Sequence, residues 1–341
     1  MPYQYELQIG APLRGNALSE LTGFLAGMGL TFSPGCSYTV LLRGQDGRIL
    51  ATGSLEGDIV KCVAVAPEMQ GEGLTAAVLT ALRSEAHARG LWHLFLYTKP
   101  RNFTLFSSLG FYEIARTADV LLMEDTPCGL QDWADRVRRP HAAGTVGAVV
   151  LNANPMTLGH LHLVETAASR CDFLYVFVVS EDKSAVPFAH RLAIVTEAAA
   201  HLPHVFVTGT DRYLISAATF PDYFLKDKSR SPSAWAALDG AVFCRLANML
   251  GISRRFVGSE PLCPVTEHYN RIMQEFFPAH GITLSELPRL TQNGTAISAT
   301  EVRRLVAENR WQEVRPLVPD ATYRYLSVEA HRQELCRRML L

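Results

Sequence analysis

Apolar and polar positions alternate differently in the two halves of the chain. From residue 146 onward, short apolar runs separated by stretches of helical periodicity predict strands near residues 146–151, 173–179, 204–207, 254–257 and 282–287. Strands that alternate with helices are typical of a Rossmann-like, doubly wound parallel sheet. Because ligands bind at the carboxyl ends of the strands in such sheets, we expect functional residues directly after these runs.

The first half shows short apolar segments separated by turns, which predicts a mixed sheet with a few helices. The predicted strands cover residues 37–43, 48–54, 58–66, 92–97, 111–116 and 120–123, and the predicted helices cover 73–88 and 103–109. Asp46-Gly47 favours a hairpin turn. We therefore predict an α/β protein with domains at 1–125 and 145–341, joined by a Pro- and Gly-containing linker with one short helix at 126–144.

Composition limits the class of protein. At 341 residues, 48% of them hydrophobic, the chain exceeds what one core usually organises, which supports two domains. The formal net charge of −1 predicts no general attraction to nucleic acid or to an anionic membrane. Without a membrane-length apolar run or a signal-like start, we expect a cytoplasmic protein. Seven scattered cysteines predict reduced thiols, with no metal site.

The first candidate site is a strand, a tight turn and a helix start in succession. Asn154-Pro155-Met156-Thr157-Leu158-Gly159-His160 follows the apolar run at 146–151. Backbone N–H groups and the positive end of a helix dipole suit phosphate, and His160 can donate to a phosphoryl oxygen. Thr157 offers a hydroxyl to the same group, and Gly159 lets adenine or ribose approach the backbone. We leave His162, two positions on, as structural.

A second motif, Ile297-Ser298-Ala299-Thr300-Glu301-Val302-Arg303, opens a later helix. Ser298 and Thr300 would hold the β- and γ-phosphates, and Arg303 would neutralise the leaving group. Ser298 and Glu301 also match a capping box, an interpretation that is compatible with phosphate binding.

The two motifs together resemble the signatures of the nucleotidyltransferase superfamily, (H/T)-x-G-H and I-S-x-T-x-x-R. The resemblance implies attack on the α-phosphorus of ATP, a reaction that depends on positioning and preorganised donors. His160, Thr157 and Arg303 would be the catalytic residues. Lys183 and Arg191 are candidate contacts to phosphate or to an acyl substrate, with a surface role as the alternative. The full set of predicted nucleotide-binding residues is Asn152, Asn154, Pro155, Gly159, Lys183, Arg191, Gly258, Ser259, Glu260, Ile297, Ser298 and Thr300.

A motif in the first half, Cys62 to Thr75, resembles motif A of the GNAT acetyltransferase fold, with its Q/R-x-x-G-x-G/A loop. Such a fold exposes a splayed strand to the pantetheine arm of CoA, and successive N–H groups wrap the pyrophosphate. Thr75 stands where the fold usually has Gly or Ala, which favours binding of a CoA-like arm without transfer from CoA. The predicted arm-binding residues are Val63, Val65, Gln70, Gly71, Gly73, Leu74, Thr75 and Asn102.

Over nearly its full length, the chain resembles the citrate lyase ligase family, most closely at residues 152–160 and 256–266. The resemblance implies an acid–thiol ligase that uses ATP and acetate and releases AMP and diphosphate. Its acceptor would be the thiol of a dephospho-CoA-derived group on the acyl-carrier subunit of citrate lyase. Mg²⁺ would be held by the ATP phosphates, since we find no carboxylate cluster for it.

Two alternatives from other classes stay open at this point. The second domain could adenylylate a phosphorylated small molecule, as pantetheine-phosphate adenylyltransferases do, which predicts turnover without acetate or a protein thiol. The first domain could instead be a docking module for a protein, which would tolerate replacement of Gln70 and Gly73.

Overall fold

The computed structural model describes residues 5–182, 184–214, 231–259, 264–292 and 294–339, without the side chains of 264–266. Within these ranges the chain divides into two compact units. The first unit contains residues 5–129 and 231–238, and the second contains 130–214 and 239–339. The predicted domain bounds, 1–125 and 145–341 with a linker at 126–144, remain predictions.

The first unit is built on a mixed seven-stranded sheet. The strands have the order β1-β2-β3-β4-β5-β7-β6, in which only β4 and β5 are parallel neighbours. The strands are β1 (Glu6–Gly10), β2 (Tyr38–Arg43), β3 (Ile49–Glu56), β4 (Ile59–Val65), β5 (Phe95–Thr98), β6 (Tyr112–Arg116) and β7 (Leu121–Glu124). The helices are α1 (Gly15–Gly27), α2 (Leu74–Ala88) and α3 (Phe103–Ser108).

Helix α2 packs closely on the middle of this sheet. A Cβ added to Gly53 of β3 would lie 2.5 Å from Val78 and 3.0 Å from Leu82, so the bare backbone permits the approach. The predicted hairpin at Asp46-Gly47 joins β2 to β3, and Gly47 has the positive φ of +80° that such a turn requires. The hydrophobic core of the unit therefore forms between α2 and the central strands.

Strands β4 and β5 diverge after a short parallel contact. They pair only at Ile59 with Phe95 and at Val60 with Leu96. The later residues of β4, including Val63 and Val65, therefore face an open wedge between two strands of the same sheet.

The second unit contains a five-stranded, wholly parallel sheet with the order β10-β9-β8-β11-β12. Its strands are β8 (Val146–Leu151), β9 (Phe173–Val178), β10 (Val205–Gly209), β11 (Arg254–Gly258) and β12 (Thr283–Leu287), and a small ladder follows in β13 (Thr291–Gln292) and β14 (Thr295–Ala296). The remaining helices are α4 (Gly129–Val137), α5 (Leu158–Ala168), α6 (Phe188–Ala198), α7 (Ser231–Leu250), α8 (Pro264–Phe276), α9 (Ala299–Ala307), α10 (Trp311–Val314), α11 (Asp320–Ser327) and α12 (Glu329–Arg338). They belong to the second unit, except that Gly129 and residues 231–238 of α7 are assigned to the first. The predicted α/β fold class, a mixed-sheet domain followed by a doubly wound parallel sheet, is confirmed.

Helix α4 lies within the segment that the sequence predicts as a linker. The Trp133 ring packs at 6.1 Å from Phe177 and 5.3 Å from Tyr213, and the backbone N–H of Arg139 donates to the Tyr175 hydroxyl. This part of the segment therefore covers one face of the parallel sheet.

The strand order of the second unit reverses between β8 and β11. Chain order runs outward from β8 to β10 on one side, and from β11 to β12 on the other. Such a reversal opens a crevice at the carboxyl ends of the two strands, and ligands of doubly wound sheets bind there. The first motif begins directly after β8, so it borders this crevice.

The structure bears on two further features of the sequence, namely membrane-spanning helices and cysteine thiols. None of the helices that the structure describes is both long and apolar enough to cross a membrane. The six described cysteines carry free thiols, and Cys263 lies outside the described residues.

Candidate active site

A cavity of about 550 Å³ lies in the second unit, at the crevice between β8 and β11. This volume is within the range of sites for small ligands. Four parts of the chain meet around it: the end of β8 with the start of α5, the end of β11, helix α8, and the segment from β12 to the start of α9. Of the predicted nucleotide-site residues, those that line it are Asn152, Thr157, Gly159, His160, Gly258, Ile297, Ser298 and Thr300. The two motifs therefore border a single cavity.

Thr157 and His160 form a reciprocal cap at the start of α5. The Thr157 hydroxyl accepts from the backbone N–H of His160 at 3.3 Å, and Nδ1 of His160 accepts from the backbone N–H of Thr157 at 3.0 Å. Because a backbone N–H can only donate, Nδ1 carries no proton. The neutral ring therefore has its proton on Nε2, which leaves an N–H donor on the far side of the imidazole.

The surroundings of His160 keep its ring neutral. Burial, together with the positive charge of Arg289, lowers the pKa of His160 to about 4. At neutral pH the ring is thus an uncharged Nε2–H donor at the wall of the cavity, next to the positive end of α5.

The second motif caps α9 but does not form the predicted capping box. The Ser298 hydroxyl accepts from the backbone N–H of Thr300 at 3.2 Å. The Glu301 carboxylate instead accepts from Arg304 at 2.6 Å, so that part of the capping-box prediction is wrong. The Glu301 side chain forms a salt bridge with Arg304 on the exposed face of α9 and therefore does not cap the helix.

Arg303 joins the two motifs. Its Nη1 donates to the backbone carbonyl of Asn154, and its Nη2 donates to the Thr300 hydroxyl at 3.1 Å. Arg303 does not line the cavity. The two hydrogen bonds of Arg303 therefore hold the loop of the first motif against the start of α9.

Arg191 lies under the same loop rather than in the cavity. The side chain is fully buried, and it donates to the backbone carbonyls of Val179, Glu181, Val186 and Asn152, as well as to the Asn152 side chain. With its N–H groups directed to these oxygens, Arg191 positions Asn152, and it does not line the cavity.

The remaining predicted residues fall at the edge of the cavity or outside the described chain. The Asn154 side chain accepts from the backbone N–H of Val186, and Pro155 follows it in the buried turn. The backbone of Ser259 pairs with β12 and accepts from Arg289 at 2.8 Å. Lys183 and Glu260 lie outside the described residues.

Four lining residues with polar side chains were missed by the sequence analysis: Arg255, Tyr269, Asn270 and Arg289. Arg289 comes just after β12, so the rule that ligands lie at carboxyl ends of strands could have found it. Arg255 within an apolar strand was a second signal, because charged residues are rarely buried without a purpose. Tyr269 and Asn270, in the middle of α8, carried no such signal.

The charged groups on the cavity wall favour an anion. Arg255 and Arg289 both line it, and no acidic side chain does among the described residues. Nor do the described residues include a cluster of three or more His, Cys, Asp or Glu side chains that could hold a metal ion. The lining can thus accept anionic groups through helix starts, an N–H donor and two arginines.

A second cavity of about 550 Å³ lies in the first unit, in the wedge between β4 and β5. All the predicted arm-binding residues line it, namely Val63, Val65, Gln70, Gly71, Gly73, Leu74, Thr75 and Asn102. Gly71 and Gly73 have φ of +91° and +77°, which lets the loop turn into α2. Lys99 and Arg101 also line the cavity, so it combines an apolar wedge, a helix start and positive charge.

A family model and known proteins match most of the chain. The family model described as the citrate lyase ligase C-terminal domain matches residues 146–326. A citrate (pro-3S)-lyase ligase from Klebsiella pneumoniae is 40% identical over 310 residues, 89% of this chain and 90% of that protein. The corresponding ligase from Escherichia coli K12 is 38% identical over 304 residues, 86% of each.

Solved structures also resemble part of the chain. An acetyltransferase of the GNAT family from Staphylococcus aureus covers 35% of this chain and 98% of its own, with 13% identity and a TM-score of 0.30. The family model and the two relatives at nearly full length decide the assignment: the chain belongs to the citrate (pro-3S)-lyase ligase family.

Proposed function

We propose that this chain activates citrate lyase by acetylating the thiol of the prosthetic group on its acyl-carrier subunit, with ATP and acetate as co-substrates. The names of the relatives support the ligase activity and the citrate lyase partner. The observation that best supports the ATP-dependent step is the neutral, Nε2-protonated His160 at the wall of a cavity that both helix starts border.

The first step is adenylation of the acid. A carboxylate oxygen of acetate attacks the α-phosphorus of ATP, the bond from that phosphorus to the bridging oxygen breaks, and diphosphate leaves. Negative charge on the α-phosphoryl oxygens increases in the transition state, and the Nε2–H of His160 stabilises it without proton transfer. Backbone N–H groups at the start of α9, with Ser298 and Thr300, hold the β- and γ-phosphates. Mg²⁺ enters with the ATP phosphates.

The second step is thiolysis. The thiolate attacks the carbonyl carbon of acetyl-adenylate, AMP leaves, and a thioester results. The cavity of the first unit would bind the arm that carries the thiol. The apolar wedge lined by Val63 and Val65 suits a pantetheine chain, and the loop from Gly71 to Thr75 suits its diphosphate.

The complete reaction tests the proposal. We would incubate the protein with ATP, Mg²⁺, labelled acetate and the thiol form of citrate lyase, and measure label on the carrier subunit together with AMP. The expected result is one AMP for each acetyl group transferred. Formation of ADP instead of AMP would contradict adenylation. Diphosphate release with phosphopantetheine, in the absence of acetate and carrier, would favour an adenylyltransferase.

A further inference from the structure

Arg255 is a buried cation on the wall of the nucleotide cavity whose hydrogen-bonding capacity is largely unused. It comes from β11, and its side chain is only 5% exposed. Its Nε and Nη1 atoms are buried and have no hydrogen-bond partner within the described residues. A buried guanidinium with unused donors is costly, so an acceptor bound there would be strongly favoured.

The groups around Arg255 satisfy it only in part. Oδ2 of Asp239 forms a buried salt bridge with Nη1 at 3.8 Å, which is longer than a hydrogen bond, and the same oxygen accepts from the Tyr269 hydroxyl at 2.6 Å. The other neighbours are aromatic rings: Phe243 lies 4.3 Å and Phe277 5.7 Å from the guanidinium carbon. These rings exclude water and hold the guanidinium in one place.

The reaction supplies a ligand of the right chemistry. The acid must bring a carboxylate up to ATP, which already carries several negative charges, and a cation at the contact offsets this repulsion. The cavity holds Arg255 and Arg289, and Arg289 donates to the backbone of Ser259 and lies close enough to His160 to lower its pKa. Arg289 therefore belongs to the His160 side of the cavity, and Arg255 belongs to the side formed by α8.

We propose that Arg255, together with Tyr269 and Asn270, forms the subsite for the carboxylate of the small acid substrate. The guanidinium donates to the carboxylate and sets the direction of its attack on the α-phosphorus. The Tyr269 hydroxyl donates to Asp239, whose carboxylate stays 3.8 Å from Arg255 and makes no hydrogen bond to it, and Asn270 donates to the Gly258 carbonyl at 3.2 Å, which fixes the end of β11. This inference rests on the proposed function, since it needs an acid that ATP activates.

The test measures how exchange of labelled diphosphate into ATP depends on acetate concentration, without carrier protein. We would compare the unmodified chain with Arg255→Lys and Tyr269→Phe. The matched control is Arg254→Lys, on the same strand, whose guanidinium instead contacts the backbone carbonyl of Arg170. The shift in melting temperature produced by ATP verifies that each variant folds and keeps its nucleotide site.

The expected result is a rise of about tenfold or more in the acetate concentration for half-maximal exchange in Arg255→Lys, and about threefold in Tyr269→Phe, while the KM for ATP changes less than about twofold. Arg254→Lys should match the unmodified chain. An acetate dependence within about twofold of the unmodified chain, in either variant that retains the ATP shift, would overturn the subsite. If Arg255→Lys does not fold, Tyr269→Phe decides. Exchange that needs no acetate in the unmodified chain would instead contradict the proposed function.

Discussion

At the scale of single residues, the cap of α5 determines which proton His160 carries. The backbone N–H of Thr157 occupies Nδ1, so the only N–H of the neutral ring is on Nε2. The sequence predicted His160 and Thr157 as phosphate contacts from their position between a strand and a helix, and as catalytic from the resemblance of their motif to a nucleotidyltransferase signature. It did not predict the reciprocal cap, because that depends on the rotamer of a side chain three residues into a helix.

Replacing His160 by Asn removes the Nε2–H donor but can keep the side-chain cap of α5. The Asn carbonyl oxygen can accept from the Thr157 N–H as Nδ1 does, but it provides no donor where Nε2 stood. We expect kcat to fall about 10²- to 10³-fold, as on loss of one preorganised donor, with a small change in the KM for ATP. AMP release in the steady state measures both constants.

The control for this substitution is His162→Asn, on the same helix but away from the cavity lining. It should retain the activity of the unmodified chain. If His160→Asn keeps more than about a third of kcat, His160 does not stabilise the transition state.

The pH dependence follows from the neutral state of His160. Since its pKa is lowered to about 4, the ring is already uncharged throughout the range from about 5.5 to 8. The profile of kcat/KM for ATP at saturating Mg²⁺ should therefore show no inflection at the ordinary histidine pKa of about 6.5. An inflection there that His160→Asn removes would show that His160 acts as a cation.

The same lowered pKa predicts a dependence of stability on pH. Below the ordinary histidine pKa the unfolded chain takes up a proton at His160 that the folded chain refuses. The contribution of His160 to stability is therefore fully present above that pKa and is lost as the pH falls toward about 4. Chemical denaturation at pH 7 and pH 5 should show a smaller loss in His160→Asn than in the unmodified chain.

At the scale of elements, arginine side chains position the loops around the cavity. Arg303 connects the start of α9 to the loop after β8, and Arg191 of α6 holds that loop from below. The alternation of strands and helices predicted the second-unit strands well, since each is an apolar run between polar turns. Arg191 was predicted as a contact to phosphate or to an acyl substrate from its position at the start of a helix. Its burial and its hydrogen bonds to backbone carbonyls show that it also positions the loop.

The role of Arg191 can be tested by Arg191→Met, which keeps the length and apolar stem. Carbonyl groups of Val179, Glu181 and Val186 would lose their partner inside the protein. We expect the free energy of unfolding to fall by about 3 kcal/mol or more. Arg310→Met, which breaks only exposed ion pairs with Glu308 and Glu313, should change it far less, because such pairs are screened by water. Equal effects of the two substitutions in urea denaturation would contradict this account.

Two elements of the first unit escaped prediction for a physical reason. Strand β1 leaves Leu7 and Ile9 about half exposed, and α1 buries only Leu21 and Leu25 completely. Strand β1 therefore has its apolar side exposed, and α1 contains Gly23 and Gly27, whose low helix propensity weakens the helical signal. Their places depend on backbone pairing with β2 and on packing that local sequence does not specify.

At the scale of the whole molecule, we assign the two proposed half-reactions to two different cavities, one in each unit. The cavity of the second unit has the features for ATP and a small acid, and that of the first has an apolar wedge and a glycine loop. The division predicts that the half-reactions can be impaired separately.

Gly73→Ala tests this separation. Gly73 has a φ of +77° at the start of α2, so a side chain there strains the loop by about 1 kcal/mol and alters the cavity wall. We expect acetylation of the carrier to slow by about tenfold or more while acetate-dependent diphosphate exchange stays within about twofold of the unmodified rate. Gly110→Ala is the matched control, because Gly110 has a φ of +80° but does not line the cavity. Equal slowing by both substitutions would indicate strain alone.

The most direct test of the central claim, that the second unit activates acetate by adenylation, is exchange of labelled diphosphate into ATP with Mg²⁺, with and without acetate, and without any carrier protein. The account predicts exchange that requires acetate and that His160→Asn reduces about 10²- to 10³-fold. Acetate-independent exchange, or no exchange even after the thiol form of citrate lyase is added, would contradict it.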